Sequence, residues 1–254
     1  MKQKVKPSKS DWQQAINQYL QKNGFGQLVP KAVLFDMDGV LYDSMPGHAL
    51  AWEKSMAKFG IRMTARDAYL TEGQRGVDTI KQMVRQQQGR DITEEEALCM
   101  YEEKSRLFHL MEETPVMPGI FDLMTQLQQQ GIIIGIVTGS GQRPLIDRLT
   151  RDFAQFVGPE NITTAFDTSR GKPFPDPYLT GLRKAGGLQP WEAVVVENAP
   201  LGVRAGVAAQ IFTVAVNSGP LPDEMLAREG ANMIFETMPE WAAAWPDFMS
   251  SLKD

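Results

Sequence analysis

Two carboxylates stand directly after a short apolar run near the start of the sequence. Asp36 and Asp38 follow residues 32–35, and Gly39 loosens the turn between them and the next segment. Carboxylates at this spacing can face one hard cation, and Mg²⁺ prefers oxygen ligands in an octahedron. One carboxylate could attack phosphorus while the other exchanges a proton with the leaving group and then with water. A solvated acidic turn has the same composition, so the pair alone does not decide between these readings.

Three further groups of polar residues follow later apolar runs: Thr138, Gly139 and Ser140; Lys172; and Glu197 with Asn198. The first group offers a hydroxyl and backbone N–H groups to an anion, although it could also be a routine turn. The lysine could neutralise both a phosphate and an attacking carboxylate, although most lysines are simply exposed. The last pair offers oxygen ligands to a metal. Because each of these groups directly follows an apolar run, together they favour a single phosphate-binding site.

These groups meet only if the runs that precede them are neighbouring parallel strands. Short apolar runs alternate with amphipathic helical stretches such as residues 120–130 and 177–185. The runs are residues 32–35, 132–137, 193–196 and 211–216, with a weaker one at 162–166. This alternation predicts an α/β fold, a doubly wound parallel sheet with helices on both faces. Ligands of such sheets bind at the carboxyl ends of the strands, where the polar groups lie.

Residues 46–114 interrupt this alternation, because their pattern is helical throughout. Thr64 and Thr93 are plausible N-caps, the latter with Glu96 at the capping-box position. We therefore expect an inserted all-helical cap at 46–114 and a core made of 31–45 and 115–254. Residues 1–30 are expected to form an N-terminal helical extension that packs on the core or on a second copy. The predicted helix is capped by Ser10 with Gln13 and ends near Gly24.

Composition narrows the class of protein further. Lys and Arg number 26 against 31 Asp and Glu, a net charge of −5, so no footprint for nucleic acid or an anionic membrane is expected. One cysteine and two histidines exclude an internal disulfide, a cysteine metal cluster and a histidine-rich zinc centre. The first ten residues are polar and charged, unlike a secretory signal. The expectation is a cytoplasmic monomer or homodimer whose partner is a small molecule.

The motifs resemble those of a known family. Residues 36–41 (DMDGVL), 137–140 (VTGS), 172–173 (KP) and 195–198 (VVEN) look like the four motifs of the haloacid dehalogenase superfamily, over about residues 31–237. The resemblance implies that Asp36 is the nucleophile and Asp38 the general acid and base. It also implies that Thr138 and Lys172 bind the transferred phosphoryl group. The Mg²⁺ ligands it implies are Asp36, the backbone carbonyl of Asp38, Glu197 and Asn198.

The helical insert resembles the C1 cap of the β-phosphoglucomutase branch of that superfamily. In that branch a cap loop presents basic residues to the substrate, at residues 71–76 of this sequence. Here Glu72 stands in a basic position, Gly76 takes the place of the phosphate-clamping arginine, and Arg75 is one place off. His48 matches a histidine that can relay protons. The second acid of the fourth motif is replaced by Asn198.

Glu72 could compensate for Asn198 by supplying the missing carboxylate to the metal when the cap closes. With residues 197–202 (ENAPLG), these two departures resemble a subgroup that hydrolyses inorganic pyrophosphate. The sequence therefore predicts a Mg²⁺-dependent phosphohydrolase acting on pyrophosphate or a small phosphate ester through an aspartyl phosphate. A β-phosphoglucomutase-type isomerase is the alternative among enzymes. A phosphate-responsive binding protein, with catalysis weakened by Asn198, is the alternative outside them.

Overall fold

The computed structural model describes residues 6–111 and 114–253. Residues 1–5, 112–113 and 254, which belong to the predicted extension, cap and core, lie outside the described residues. Within the described part, six parallel strands form one sheet in the order β3-β2-β1-β4-β5-β6. They are β1 (Ala32–Phe35), β2 (Ile133–Val137), β3 (Ile162–Thr163), β4 (Ala193–Glu197), β5 (Phe212–Val216) and β6 (Met233–Phe235).

The α-helices of this part of the chain fall into three groups. One helix precedes the sheet: α1 (Lys9–Asn23). Four follow β1: α2 (Met45–Ala57), α3 (Ala65–Leu70), α4 (Gly76–Gln88) and α5 (Glu94–His109). The rest connect or follow the later strands: α6 (Ile120–Gln129), α7 (Arg143–Asp152), α8 (Asp176–Lys184), α9 (Pro200–Ala208), α10 (Asp223–Arg228) and α11 (Met238–Ser251).

Alternate residues of β1 face opposite sides of the sheet, and both sides are covered. Val33 and Phe35 belong to a large apolar cluster with residues of α1, α6, α7 and α11. Ala32 and Leu34 belong to a second cluster with residues of α8 and α9. A strand buried on both faces reads as a continuous apolar run, which is why the sequence reveals it. The predicted doubly wound α/β fold is confirmed.

The register of the central strands brings the carboxyl ends of three of them level. Phe35 of β1 lies beside Ile136 of β2 and Val196 of β4. The residues that follow these strands therefore emerge at one edge of the sheet. This alignment is what places the polar residues after β1, β2 and β4 close together.

The prediction for the start of α1 is wrong by two residues. Ser8, not Ser10, is the N-cap, and Asp11, not Gln13, completes the capping box. The Asp11 carboxylate accepts the Ser8 backbone N–H at 2.8 Å. A charged carboxylate also interacts favourably with the positive end of the helix dipole, which a glutamine does not. Trp12 is completely buried 5.1 Å from the Phe248 ring of α11, so α1 packs on the core.

The helices α2 to α5 pack around an apolar cluster of their own, separate from the two clusters at the sheet. Thr64 and Thr93 are the N-caps of α3 and α5, as predicted, and both form capping boxes. The weak run at 162–166 yields only the two residues of β3. The strand ends there because the Asp167 carboxylate accepts the Thr164 backbone N–H at 2.7 Å, which turns the chain away. None of the helices in the described part is long and apolar enough to cross a bilayer.

Candidate active site

A buried cluster of charges lies at the carboxyl edge of the sheet. The ammonium of Lys172 forms an ion pair with Asp36, which follows β1, and lies 2.7 Å from Glu197 Oε1, at the end of β4. It also donates to the backbone carbonyl of Val137, the last residue of β2, at 3.1 Å. Tyr178 of α8 donates its hydroxyl proton to the same Glu197 oxygen at 2.6 Å. One lysine thus joins the ends of the three central strands.

Burial and charge act in opposite directions on the two ends of this ion pair. Burial raises the pKa of Asp36 to about 7, and Glu197 adds to the rise, while Lys172 opposes it. Burial alone would lower the pKa of Lys172, but the carboxylates of Asp36 and Glu197 raise it above its ordinary value. Lys172 is therefore charged at neutral pH. Its charge holds Asp36 in place and favours the ionised, nucleophilic form of that carboxylate.

The second carboxylate, Asp38, is held by a chain of side chains that reaches into the cap. Its Oδ1 accepts a hydrogen bond from the Ser44 hydroxyl at 2.5 Å and lies 2.9 Å from His48 Nε2. His48 Nδ1 in turn lies 2.7 Å from the ammonium of Lys104. Because an ammonium can only donate, Nδ1 accepts and the proton of His48 sits on Nε2, where it is donated to Asp38.

The pKa values in this chain follow from burial and from its neighbours. Burial lowers the pKa of Lys104 to about 8, although Asp38 and Glu72 oppose the shift. Burial and the neighbouring Lys104 charge lower the pKa of His48. For Asp38, burial acts upward, but the contacts with His48 and Ser44 together hold its pKa below the usual range. In this arrangement Asp38 is ionised at neutral pH and ready to accept a proton.

The turn after β2 also borders the site. Thr138 and Ser140 are buried, and Thr138 Oγ1 accepts the Ser140 backbone N–H at 3.0 Å. The cap loop lies directly on this turn. A side chain at Gly139 would meet the Gly73 carbonyl oxygen at 2.7 Å, so only glycine permits this approach. One at Gly73 would meet the stem of Lys172 at 2.9 Å.

Residues of cap and core line a partly open cavity of about 40 Å³ beside the second carboxylate. Glu72 is partly buried in its wall, together with Asp38, His48 and Lys104 from the chain described above. Burial, with Asp38 and Asp36 nearby, raises the pKa of Glu72 well above its ordinary value. An extra acid in an already acidic cavity is costly unless a proton or a cation compensates it. The cavity therefore favours a cation.

Arg75 is the one predicted site residue whose side chain the structure places elsewhere. Its guanidinium donates to the Ser169 carbonyl of the core at 3.0 Å and pairs with Asp78 and Glu94 of the cap. It does not line the cavity among the described residues. These contacts hold the cap loop against the core. The acidic partners in α4 and α5 and the core carbonyl together draw the guanidinium away from the cavity. The position of Arg75, one residue from that of the phosphate-clamping arginine, therefore did not predict where its side chain lies.

Four buried side-chain oxygens around this cavity and the ion-pair cluster have no hydrogen-bond partner within the described part of the chain: Asp36 Oδ2, Gln74 Oε1, Gln142 Oε1 and Asn198 Oδ1. Buried acceptors are nearly always paired, so this concentration points to a missing donor or cation. Carboxylate and amide oxygens, with waters between, are what Mg²⁺ binds. The residues present therefore fit a hydrated Mg²⁺ at Asp36 and Asn198.

Both carboxylate oxygens of Glu197 contact other groups of the protein. Besides the lysine and tyrosine on Oε1, its Oε2 lies 3.1 Å from the Asn198 backbone N–H, which it accepts. No three His, Cys, Asp or Glu side chains are grouped as metal ligands anywhere in residues 6–111 and 114–253. A metal here would consequently depend on an amide oxygen, backbone carbonyls and water in addition to Asp36.

Sequence reasoning missed several residues of the site: Ser44, Tyr101, Lys104, Gln142 and Tyr178. Only Lys104 carries a signal in the sequence. It lies on the face of α5 that also buries Ala97, Met100 and Phe108, where an apolar residue is expected. A lysine on an apolar helix face is rarely buried without a partner, so its position pointed to one. The others come together only through the packing of cap against core.

Comparisons with known proteins agree with this geometry. The family model for haloacid dehalogenase-like hydrolases matches residues 30–210. Hexitol phosphatase A of Escherichia coli is 35% identical over 192 residues, covering 74% of this chain and 83% of that protein. Beta-phosphoglucomutase of Bacillus subtilis is 27% identical, covering 83% of this chain and 94% of that protein.

Among solved structures, a protein of Bacteroides vulgatus provisionally named beta-phosphoglucomutase is 46% identical. It superposes with a TM-score of 0.93, covering 97% of this chain and 100% of that one. A likeness of this extent includes both the sheet and the helical insert.

Proposed function

Since the chain belongs to the haloacid dehalogenase-like hydrolases, we propose that it is a Mg²⁺-dependent phosphohydrolase whose favoured substrate is inorganic pyrophosphate. The sequence relatives named above are a phosphatase and a phosphomutase, so phosphoryl transfer is the common chemistry. The observation that carries the choice of substrate is the position of Glu72. This carboxylate lines the same cavity as Asp38, in the part of the cap where a sugar-phosphate enzyme of this branch is expected to present cations.

Asp36 is the nucleophile in the proposed reaction. Its carboxylate attacks the phosphorus, the bond to the leaving group breaks, and an aspartyl phosphate forms. Lys172 touches Asp36 and fixes its direction of attack, while its charge offsets the charge of the incoming phosphate. The Thr138 hydroxyl and the Gly139 backbone N–H would donate to the phosphoryl oxygens. When bound at Asp36 and Asn198, Mg²⁺ supplies further charge neutralisation.

Asp38 handles the proton. In its protonated form it can pass a proton to the departing group, and the resulting carboxylate then takes one from the water that hydrolyses the aspartyl phosphate. The Nε2–H of His48, fixed by Lys104, orients Asp38 for both steps. Orthophosphate is a better leaving group than a sugar alkoxide and depends less on protonation. An Asp38 side chain that is mainly ionised is therefore adequate for the cleavage of pyrophosphate. Closure of the cap excludes bulk water during the transfer.

Glu72 is the residue that would distinguish pyrophosphate from a sugar phosphate. A carboxylate repels a distal phosphate unless a cation lies between them, and a metal-bound diphosphate supplies that cation. Glu72 would bind the metal or one of its waters and make up for the charge lost at Asn198. Among the described residues, no free cation is available at this cavity to clamp the second phosphate of a sugar phosphate, because Lys104 is held by His48 and Arg75 points away.

The sequence similarity to beta-phosphoglucomutase supports an isomerase as the second candidate. Incubation with Mg²⁺ and pyrophosphate, and separately with β-glucose 1-phosphate, distinguishes the two. The proposal predicts Mg²⁺-dependent release of orthophosphate from pyrophosphate. Formation of glucose 6-phosphate would instead identify the isomerase. Phosphate binding without turnover of either compound would support a binding protein.

A further inference from the structure

We infer that Tyr69 of α3 is a positioning residue, which fixes Glu72 in the active-site cavity by docking on the core at Gly219. The inference rests on the proposed function, since it concerns how the cap presents this carboxylate. It arises from the segment that carries the carboxylate, residues 69–73, which we call the cap strap. The last three residues of the cap strap line the cavity.

The cap strap contacts the core at both of its ends. At one end, the Gly73 carbonyl lies against Gly139, in the turn after β2. At the other end, the ring of Tyr69 lies on Gly219, in the loop between β5 and α10. A Cβ atom built on Gly219 would be 2.7 and 2.8 Å from two carbons of that ring. A side chain at position 219 is therefore excluded unless the ring moves.

These two contacts place the cap strap across the catalytic strands. In the sheet, β1 and β4 lie between β2 and β5, and the contacts are on the segments that follow β2 and β5. The cap strap must therefore pass over the ends of β1 and β4. In agreement, a Cβ atom on Gly73 would lie 3.9 Å from the backbone nitrogen of Gly202, in the helix after β4. Glu72 is thus held over the strand ends that carry Asp36 and Glu197.

The core side of the tyrosine contact is tied to the turn that carries the second carboxylate. The Ser218 hydroxyl donates to the backbone carbonyl of Gly39 at 2.7 Å, and Gly39 directly follows Asp38. Asn217 stiffens the same loop, because its side-chain amide donates to the Leu221 carbonyl at 2.7 Å. The loop is therefore fixed relative to Asp38. A ring that docks on this loop is fixed relative to the same carboxylate.

Like charges explain why the cap strap needs this contact. Besides burial, Asp38 and Asp36 both raise the pKa of Glu72, because the carboxylates repel one another when ionised. This repulsion pushes the cap strap away from the core. The Tyr69 ring opposes it without adding charge to the site. The ring also packs against the apolar cluster of the cap, so the contact joins that cluster to the core.

Gly219→Ala tests the contact, because the added methyl group would meet the Tyr69 ring and lift the cap strap. The backbone of Gly219 is not left-handed, so alanine is compatible with the loop. With Mg²⁺, we expect kcat/KM for pyrophosphate to fall at least tenfold in Gly219→Ala and in Tyr69→Ala. The double variant should be no worse than Tyr69→Ala alone. Gly26→Ala, whose methyl group meets nothing within 4 Å, is the matched control and should behave as wild type.

Three further measurements separate positioning from a general effect on folding. Tyr69→Phe keeps the ring and should stay within threefold of wild type. If Tyr69 acts through Glu72, adding Tyr69→Ala to Glu72→Gln should lower kcat/KM by less than a further threefold. Independently of activity, hydrogen exchange at the amides of residues 71–73 should become faster in Gly219→Ala. Circular dichroism and Tm report whether each variant is folded, and Tyr69→Leu replaces Tyr69→Ala if the latter is not.

Each contrary outcome bears on one statement. Additive losses in the double variant, or wild-type kinetics and exchange in a folded Gly219→Ala variant, overturn the docking contact. Full additivity of Tyr69→Ala with Glu72→Gln overturns the action through Glu72. A wild-type enzyme that releases no orthophosphate from pyrophosphate contradicts the proposed substrate instead. In that case hydrogen exchange still tests the docking contact, because it does not depend on turnover.

Discussion

The two walls of the active site are built in different ways. On the core side, Asp36, Lys172 and Glu197 are joined by direct ion pairs at the ends of neighbouring strands. On the cap side, Glu72 and Lys104 come from a loop and a helix that belong to a separate apolar cluster. The core wall is fixed by the register of the sheet, whereas the cap wall depends on how the cap packs against the core. The comparison suggests that the core determines the reaction and the cap determines the substrate.

The strongest test of the core wall is Asp36→Asn. An amide cannot attack phosphorus, so kcat should fall at least about 10⁴-fold on every substrate. Hydrolysis rates of pyrophosphate and of sugar phosphates, measured side by side, check this. Asp147→Asn, on the exposed face of α7, is the matched control and should leave the rates unchanged. A folded Asp36→Asn variant with appreciable turnover would rule out an aspartyl phosphate at this residue.

A test of the cap wall is Glu72→Gln. If this carboxylate supports the metal from outside the core ligands, kcat/KM for pyrophosphate should fall about 10- to 100-fold. Hydrolysis of small sugar phosphates should change much less, because they do not use that contact. The measurement is the ratio of the two kcat/KM values in the variant and in wild type. Equal losses on both substrates would assign Glu72 to the general machinery and remove the distinction between the two walls.

The substitution Lys104→Met tests the hydrogen-bonded chain that runs from Lys104 through His48 to Asp38 and connects the cap wall to the core wall. Loss of the ammonium frees His48 to change tautomer, so kcat should fall about tenfold on all substrates. Stability should move the other way, because a buried lysine is replaced by an apolar side chain of similar length. The exposed lysine of α2, changed in Lys54→Met, serves as the control. A fall in Tm for Lys104→Met at pH 7 would show that the ammonium stabilises the fold instead.

The pH dependence of that stability difference has a definite sign. Burial lowers the pKa of Lys104 from 10.5 to about 8 in the folded protein. Burying the charged form therefore costs free energy below about pH 8, and the cost disappears as the pH rises towards 10.5. The Tm advantage of Lys104→Met should be present at pH 7 and shrink between pH 8 and 10. Thermal unfolding monitored across this range gives the answer, and an advantage independent of pH would contradict the origin in charge.

The smallest effect is expected for Asn198→Asp. The added carboxylate should lower the Mg²⁺ concentration needed for half-maximal activity by about threefold, because ligand charge tunes affinity. The change in kcat should stay within about threefold if Glu72, as proposed, compensates for the missing charge. Titration of activity with Mg²⁺ measures both quantities. A large gain in kcat would mean that the wild-type site is impaired, as expected of a binding protein.

The core wall could be predicted from sequence and the cap wall only in part. Asp36, Thr138 and Asn198 follow buried strands whose apolar runs are visible in the sequence, and parallel pairing then brings them together. No regular pairing of this kind aligns the cap helices with the core. The hydrogen bond between Tyr101 and Gln142 therefore could not be predicted from the sequence. The same limit explains Arg75, whose direction depends on acidic neighbours in α4 and α5.

Short elements escaped prediction for a different reason. The strand β6 has three residues, two of them only partly buried, and it lies at the edge of the sheet, so its apolar pattern is weak. The true cap of α1 was missed because Ser8 and Ser10 are both good N-caps. Only the geometry of the Asp11 carboxylate distinguishes them.

We propose that the cap of this protein restricts a core built for phosphoryl transfer to pyrophosphate. The most direct measurement is kcat/KM of the wild-type protein with Mg²⁺ for pyrophosphate beside hexitol phosphates, β-glucose 1-phosphate and nucleotides. We expect a value for pyrophosphate at least about a hundredfold above the others, or about 2.7 kcal/mol of discrimination in the transition state. A flat profile, or a hexose or hexitol phosphate in first place, would contradict it.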